Sequence, residues 1–158
     1  MTDNWKDRIV LVTGAGGFIG SRLCERMVVE EASVRAFVRY TSRAEIGLLK
    51  RLPAIILNKI EIIRGDLRDF SAIEQVAKGV DTIYHLGALI SIPYSYVHPV
   101  ETVQTNILGT MNILEACRKT GAKLVHTSTS EVYGTALRVP IDEDHPLQGQ
   151  SPYSASKI

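Results

Sequence analysis

The 158-residue sequence predicts an α/β fold built on a doubly wound parallel sheet. Two observations carry that expectation, and a third leaves it undisturbed. Short apolar runs alternate with amphipathic helical patterns along the chain. The segment Val12-Thr13-Gly14-Ala15-Gly16-Gly17-Phe18-Ile19-Gly20 joins the first apolar run directly to the first helical pattern. No internal repeat beyond this alternation, and no low-complexity segment, interrupts it.

Arg8 to Val12 reads as the first strand, and Ile19, Leu23 and Met27 recur every four residues as the apolar stripe of the first helix. The glycines between them sit at a strand-to-helix turn. Gly14 allows the tight bend, Gly17 lets backbone approach a bulky anion, and Gly20 lets helix and strand pack closely. Free amides at the helix start, those of Phe18 and Ile19 among them, then face a pyrophosphate. The pattern points to a bound dinucleotide, against the plainer reading of a tight turn with no ligand.

Ser33 to Val38 forms the second strand, running into Arg39-Tyr40-Thr41-Ser42-Arg43. An acid at this point suits the ribose 2′-hydroxyl of NAD, and an arginine suits the 2′-phosphate of NADP. The stretch from Ser33 to Ala44 holds no Asp or Glu. Arg39 therefore favours NADP over NAD on charge complementarity, with a solvated loop arginine as the alternative. Glu45 to Leu57 carries a short helical pattern interrupted by Pro53. Lys59 to Arg64 is the third strand, and Asp66 behind it is placed to accept from an adenine amino group. Asp69 suits the N-cap of a helix from Phe70 to Lys78. Asp81 to Leu86 is the fourth strand, and the small residues Gly87 and Ala88 after it admit a cofactor close to backbone. His85, with no acid in view, reads as a packed strand residue rather than a base.

Leu89 to His98 reads as a loop at a strand's carboxyl end, where ligands of such sheets bind. One long helix is expected from Pro99 to Lys119, closed by Gly121, with Val103, Ile107, Met111 and Leu114 as its apolar stripe. Asn106 near that stripe either holds an active-site water or is a satisfied polar contact. Lys123 to Ser128 is the fifth strand. Thr129 to Gly134 is a polar cluster, and 135–150 a loop whose Asp142-Glu143-Asp144 run is a solvated face. Ser151 and Pro152 then supply the N-cap and first position of a last helix.

The totals exclude some roles. A formal charge of +1 gives no argument for a nucleic-acid or membrane-surface partner. Cys24 and Cys117 both fall in helical patterns away from any metal-ligand spacing, so free thiols in a reducing compartment and no metal are expected. The polar leader Met1 to Asp7 leaves no room for a signal peptide, and no apolar run reaches membrane-spanning length. These features suggest a soluble, cytoplasmic protein with ample core, since 45% of its residues are hydrophobic.

Tyr153 and Lys157, four apart, share one face of the last helix. An ammonium beside a phenol favours the phenolate. Bringing that group from about 10 to neutrality asks about 4 kcal/mol of the field. With Thr129 bridging a substrate hydroxyl to Tyr153, the trio suits removal of an alcohol proton while hydride leaves for a nicotinamide.

Thr13 to Gly20, Gly65-Asp66-Leu67, His85 to Ala88, Thr127 to Gly134 and Tyr153 to Lys157 together resemble the extended short-chain dehydrogenase/reductase family, the nucleotide-sugar epimerase and dehydratase group. The resemblance covers almost the whole chain, motifs in order. It implies a Rossmann-like sheet and Thr129, Tyr153 and Lys157 as the catalytic trio. It also implies a nucleotide-diphosphate sugar as substrate, and cofactor contacts from Gly14, Gly17, Phe18, Ile19, Gly20, Arg39, Asp66, Leu67, Leu86, Gly87, Ala88, Tyr153 and Lys157. Within the group, Ser128-Thr129-Ser130-Glu131-Val132-Tyr133-Gly134 resembles the 4,6-dehydratases, which makes Glu131 the C5 base. Ser130 and Asn106 are the substrate-side candidates. Ser130 stands where thymidine-diphosphate-glucose dehydratases carry Asp, so the chain is more similar to the GDP-mannose type and to legionaminic-acid-pathway enzymes acting on N-acetylglucosamine nucleotides. Uronate decarboxylases, which share Ser-Thr-Ser-Glu-Val-Tyr-Gly, and 4-epimerases are the alternatives. Family members run to roughly twice this length as two lobes, and they dimerise through the long helix and the tyrosine helix. The chain thus matches an N-terminal half that ends before the later strands and the substrate lobe. It is either a fragment of such an enzyme or a cofactor-binding module without turnover.

Overall fold

The computed structural model describes residues 5–158. Its strands, β1 (Ile9–Thr13), β2 (Ser33–Arg39), β3 (Ile60–Gly65), β4 (Thr82–His85) and β5 (Lys123–His126), form one parallel sheet in the order β3-β2-β1-β4-β5. The chain winds outward from β1 to β3, then crosses back to place β4 on the other side of β1. That reversal between β1 and β4 is the switch point, where loops diverge and open a crevice at the strands' carboxyl ends.

Period-two alternation divides the core between the two faces. Val10 and Val12 pack with Cys24, Met27, Val34, Ala36, Val38 and Leu49 on the side of α1 (Phe18–Val29). Leu11 and Ile83 pack with Phe37, Ile73, Ile113 and Ala116 on the side of α3 (Phe70–Val76) and α6 (Gly109–Thr120). Strands buried on both faces need continuous apolar runs, which is what Ile9 to Val12 supplies. Between β2 and β3 lie a 3₁₀ turn at Gly47–Arg51 and the short α2 (Ala54–Leu57), with Pro53 as its N-cap. Asp69 caps α3 through the amides of Ser71 and Ala72. Both cysteines are free thiols, and burial pushes Cys24 up to about 12.

Five expectations change. The stretch read as a loop contains α4 (Ile92–Val97), started by Ser91, whose hydroxyl accepts from the Tyr94 amide, and by Pro93 in its first turn. The long helix is broken into α5 (Pro99–Val103), a π turn at Gln104–Leu108 and α6. Its expected apolar stripe does not face the sheet: Val103, Ile107, Met111 and Leu114 are all exposed. The inward face is Thr102, Asn106, Gly109, Asn112, Ile113 and Ala116, all but Ile113 small or hydrogen-bonded, and bare Gly109 lets the helix lie close over Leu67. Satisfied polar groups cost little to bury, so hydrophobicity alone selects the wrong face. On α1, Ile19 likewise points to solvent while Gly20, Cys24, Met27 and Val28 are buried. Finally, β5 stops at His126, leaving Thr127 and Ser128 outside it.

Candidate functional site

The glycine turn is compressed against the end of β4. Gly14 adopts a φ of +65°, and a Cβ on it would stand 2.8 Å from the Gly87 nitrogen. Gly17 is the N-cap of α1 and offers no side-chain cap. The first amides of a helix have no intrahelical acceptor; here they belong to Phe18, Ile19 and Gly20, beside bare glycine backbone. Such a cradle fits an anion of pyrophosphate size.

Thr13 and His85 weld the two sides of the switch point. The Gly87 amide donates to Thr13 Oγ1 (3.0 Å), which leaves the single Thr13 proton for His85 Nδ1 (2.7 Å). On the ring's far side, Thr110 Oγ1 donates to the Asn106 carbonyl (2.6 Å) and so accepts from His85 Nε2 (3.1 Å). The imidazole is therefore the neutral Nε2–H tautomer. Burial, then the charges of His126 and Lys157, push it down to about 3. His85 is a packed strand residue, as its sequence context suggests.

A pH dependence follows. The unfolded imidazole titrates near 6.5, so the native state resists a proton that the unfolded chain accepts. The stability owed to neutral His85 is fully present above that value and is lost progressively as pH falls toward 3. By pH 5 the loss from this residue is about 2 kcal/mol. Urea titrations at pH 7 and pH 5 check it, and equal midpoints would contradict the buried neutral ring.

Beside this weld, a cavity of ≈ 140 Å³ runs from Gly14 past Asp66, Leu67, Gly87 and Ala88 to Arg39. It is smaller than the about 300–1,000 Å³ of a complete small-molecule pocket, and so suits one end of an extended ligand. Asp66 lines it, but its carboxylate is already bidentate to Arg68 (2.9 and 2.6 Å), whose guanidinium holds it below the usual carboxylate range. Arg39, expected to be open to a phosphate, is paired with Glu101 of α5 (3.1 Å).

The catalytic candidates come from two neighbouring elements. Thr129 caps a 3₁₀ turn (Ser130–Tyr133) by accepting from the Glu131 amide, while Ser130 and Glu131 are exposed. This turn packs against α7 (Pro152–Lys157). Ser151 and Ser154 cap α7 reciprocally, Ser154 serving where Glu or Gln is usual. Tyr153 is buried and Lys157 half-buried, its ammonium disfavoured by that burial. Burial first, and then the charge of nearby Lys157, hold His126 at the end of β5 below the usual imidazole range, and the same charge reaches His85.

Asn106 has the structural one of its two open roles. It is 2% exposed; its carbonyl accepts from the Leu89 amide (2.8 Å), and its amide donates to the Leu89 carbonyl (3.0 Å) and Ser156 Oγ (2.8 Å). Ser156 in turn donates to the Tyr153 carbonyl (2.7 Å). Asn106 thus ties the loop after β4 to the tyrosine helix. Sequence reasoning missed Thr13, Thr110 and Glu101. Only Glu101, an acid in the first turn after Pro99, carried a local signal.

The GDP-mannose 4,6 dehydratase family model matches residues 11–158. The chain belongs to this family, among the extended short-chain dehydrogenases/reductases. It is 37% identical over 151 residues to the UDP-glucose 4-epimerase of Mycolicibacterium smegmatis, covering 94% of this chain and 47% of that protein. It is 32% identical over 154 residues to UDP-glucuronic acid decarboxylase 1 of Arabidopsis thaliana, covering 94% of this chain and 33% of the relative. The solved UDP-glucose 4-epimerase of Thermus thermophilus, in complex with NAD, superposes with a TM-score of 0.81 at 33% identity, over 94% of this chain and 47% of that one. The chain spans half or less of the length of these relatives. Their names describe two reactions and the family model a third, so membership alone selects none of them.

Proposed function

We propose that this chain is the dinucleotide-binding half of a nucleotide-hexose 4,6-dehydratase with a substrate lobe of its own. The observation that carries the reading is Glu131, exposed beside Thr129 on the turn that packs against the Tyr153–Lys157 helix. A simple 4-epimerase needs no acid there; a dehydratase needs a base for C5.

Each residue then has a proton to handle. Tyr153 accepts the proton of the C4 hydroxyl as that carbon is oxidised, with Lys157 favouring the phenolate and Thr129 bonding the same hydroxyl. A bound nicotinamide supplies the reversible acceptance of hydride. The C4 ketone acidifies C5–H, and Glu131 removes that proton and gives it to the C6 hydroxyl, which departs as water. Hydride returned to C6 and a proton returned to C5 leave a 4-keto-6-deoxy sugar. Ser130 is the substrate-side hydroxyl beside this base. In the full-length protein, mass spectrometry with UDP-N-acetylglucosamine, GDP-mannose and thymidine-diphosphate glucose should show loss of one water from one of them. Glu131→Gln should block that loss while cofactor binding persists. Loss of carbon dioxide from a uronate would favour a decarboxylase, and unchanged mass with inverted stereochemistry an epimerase.

The cofactor is a nicotinamide dinucleotide, cradled by the glycine turn with its adenine end in the cavity along Asp66, Leu67, Gly87 and Ala88 and with Leu86 leading into it. The case for NADP rests on Arg39 alone. The free thiols favour a reducing compartment such as the cytoplasm.

A second copy of the chain covers the exposed face formed by Val100, Val103, Ile107, Leu108, Met111 and Leu114. Its support is that contiguous apolar surface of this kind marks interaction sites. Sedimentation should show a dimer of the native protein and a monomer for Met111→Arg; a native monomer would contradict the interface. Among the described residues, no helix is long and apolar enough to cross a membrane.

A further inference from the structure

The end of β2 lacks the acid that ordinarily reads the adenosine ribose, but the fold brings one to the same place from another element. Glu101, in the first turn of α5, reaches across 62 positions of sequence to Arg39. Both of its carboxylate oxygens are engaged: Oε1 accepts from Arg39 Nη2 at 3.1 Å, and Oε2 accepts from the Tyr94 hydroxyl at 2.5 Å. Tyr94 belongs to α4, so three separate elements meet at this carboxylate. Thr105, one helical turn beyond Glu101, lines the same cavity as Arg39. The Asp66–Arg68 pair, near enough for Asp66 to feel Arg39 and Glu101 to feel Arg68, adds one charge of each sign, so the four ionised groups sum to zero.

This arrangement changes what Arg39 can offer. A guanidinium free at the end of β2 would meet a ribose 2′-phosphate with two parallel donors. Here one donor already serves a carboxylate, and an arriving 2′-phosphate, itself carrying close to two negative charges, would lie against that carboxylate. A 2′-hydroxyl carries no such charge and can donate to the acid. We propose that Glu101, steadied by Tyr94, is the residue that sets the dinucleotide preference, withholding Arg39 from a 2′-phosphate so that the site takes NAD over NADP. This rests on the reading that the glycine turn and its cavity bind a nicotinamide dinucleotide. It replaces the NADP preference that Arg39 alone suggests. The hydrogen bond from Tyr94 and the charge of Arg39 both hold Glu101 below the usual carboxylate range, so the acid is ionised at neutral pH.

Calorimetric titration of the native chain with NAD and with NADP tests this, repeated on Glu101→Gln, Tyr94→Phe and the double variant Arg39→Ala/Glu101→Gln. Arg39 and Tyr94 are exposed and Glu101 is partly buried, and circular dichroism verifies that each variant folds. The native chain should bind NAD more tightly. Glu101→Gln should move the NADP-to-NAD affinity ratio toward NADP by about tenfold or more, Tyr94→Phe should move it less in the same direction, and the double variant should lose the gain because it acts through Arg39. A folded Glu101→Gln protein that binds NAD with an unchanged ratio overturns the proposal. So does a native preference for NADP. A native chain that binds neither dinucleotide overturns the dinucleotide reading itself, and the selector with it.

Discussion

Replacing Gly20 by valine is expected to remove dinucleotide binding and to destabilise the chain. A Cβ at this position would stand 2.3 Å from the Gly14 carbonyl oxygen and 2.8 Å from the Ala15 Cα. Both are backbone atoms of the turn, so neither can yield as a flexible side chain would. Relief requires α1 to move off β1, which breaks the packing of Cys24 and Met27 and withdraws the helix-start amides from the anion site. Overpacking of this kind costs about 1–3 kcal/mol, and affinity should fall at least about tenfold. Gly79→Ala is the comparison. Gly79 has a φ of +70° with open space around it, so alanine there costs about 1 kcal/mol of strain and should leave binding untouched. Urea denaturation with calorimetry of both variants separates the two effects; native affinity in folded Gly20→Val would contradict the cradle.

Tyr153→Phe in the full-length protein carries the second large effect. The ring is buried and its helix start is held by the Ser151–Ser154 caps, so phenylalanine should keep the fold. Only the hydroxyl proposed to take the alcohol proton is lost. Turnover should drop by about 10²–10⁴-fold, while the dinucleotide still binds. Turnover within a few-fold of native would remove Tyr153 from its role.

Much of this is legible in the residues. The five strands and their parallel sheet follow from short apolar runs alternating with helices, and the glycine turn, Asp69 cap and Ser151 cap each rest on local backbone chemistry that sequence records directly. The long helix misleads because its larger apolar residues lie outside. Its inner face includes Asn106 and Asn112, whose burial is tolerable only through partners such as Leu89 and Leu67 that lie outside the helix. Arg39 shows the same limit: its charge is visible in the sequence, but its pairing with Glu101 is a product of tertiary structure. The tautomer of His85 similarly depends on Thr13 and Thr110, neither adjacent to it. Local motifs are written in neighbouring residues, whereas the state of each charged or titratable group is written in its distant ones.

The central claim is that the crevice between β1 and β4 holds a nicotinamide dinucleotide. Titrating NAD into the isotopically labelled chain while following backbone amides by nuclear magnetic resonance tests it most directly. The account predicts saturable shifts concentrated at Gly14 to Gly20, Asp66, Leu67, Gly87 and Ala88, with the far end of the sheet around Lys59 and Ala32 unmoved. Saturation with shifts only elsewhere, or none at all, would contradict it.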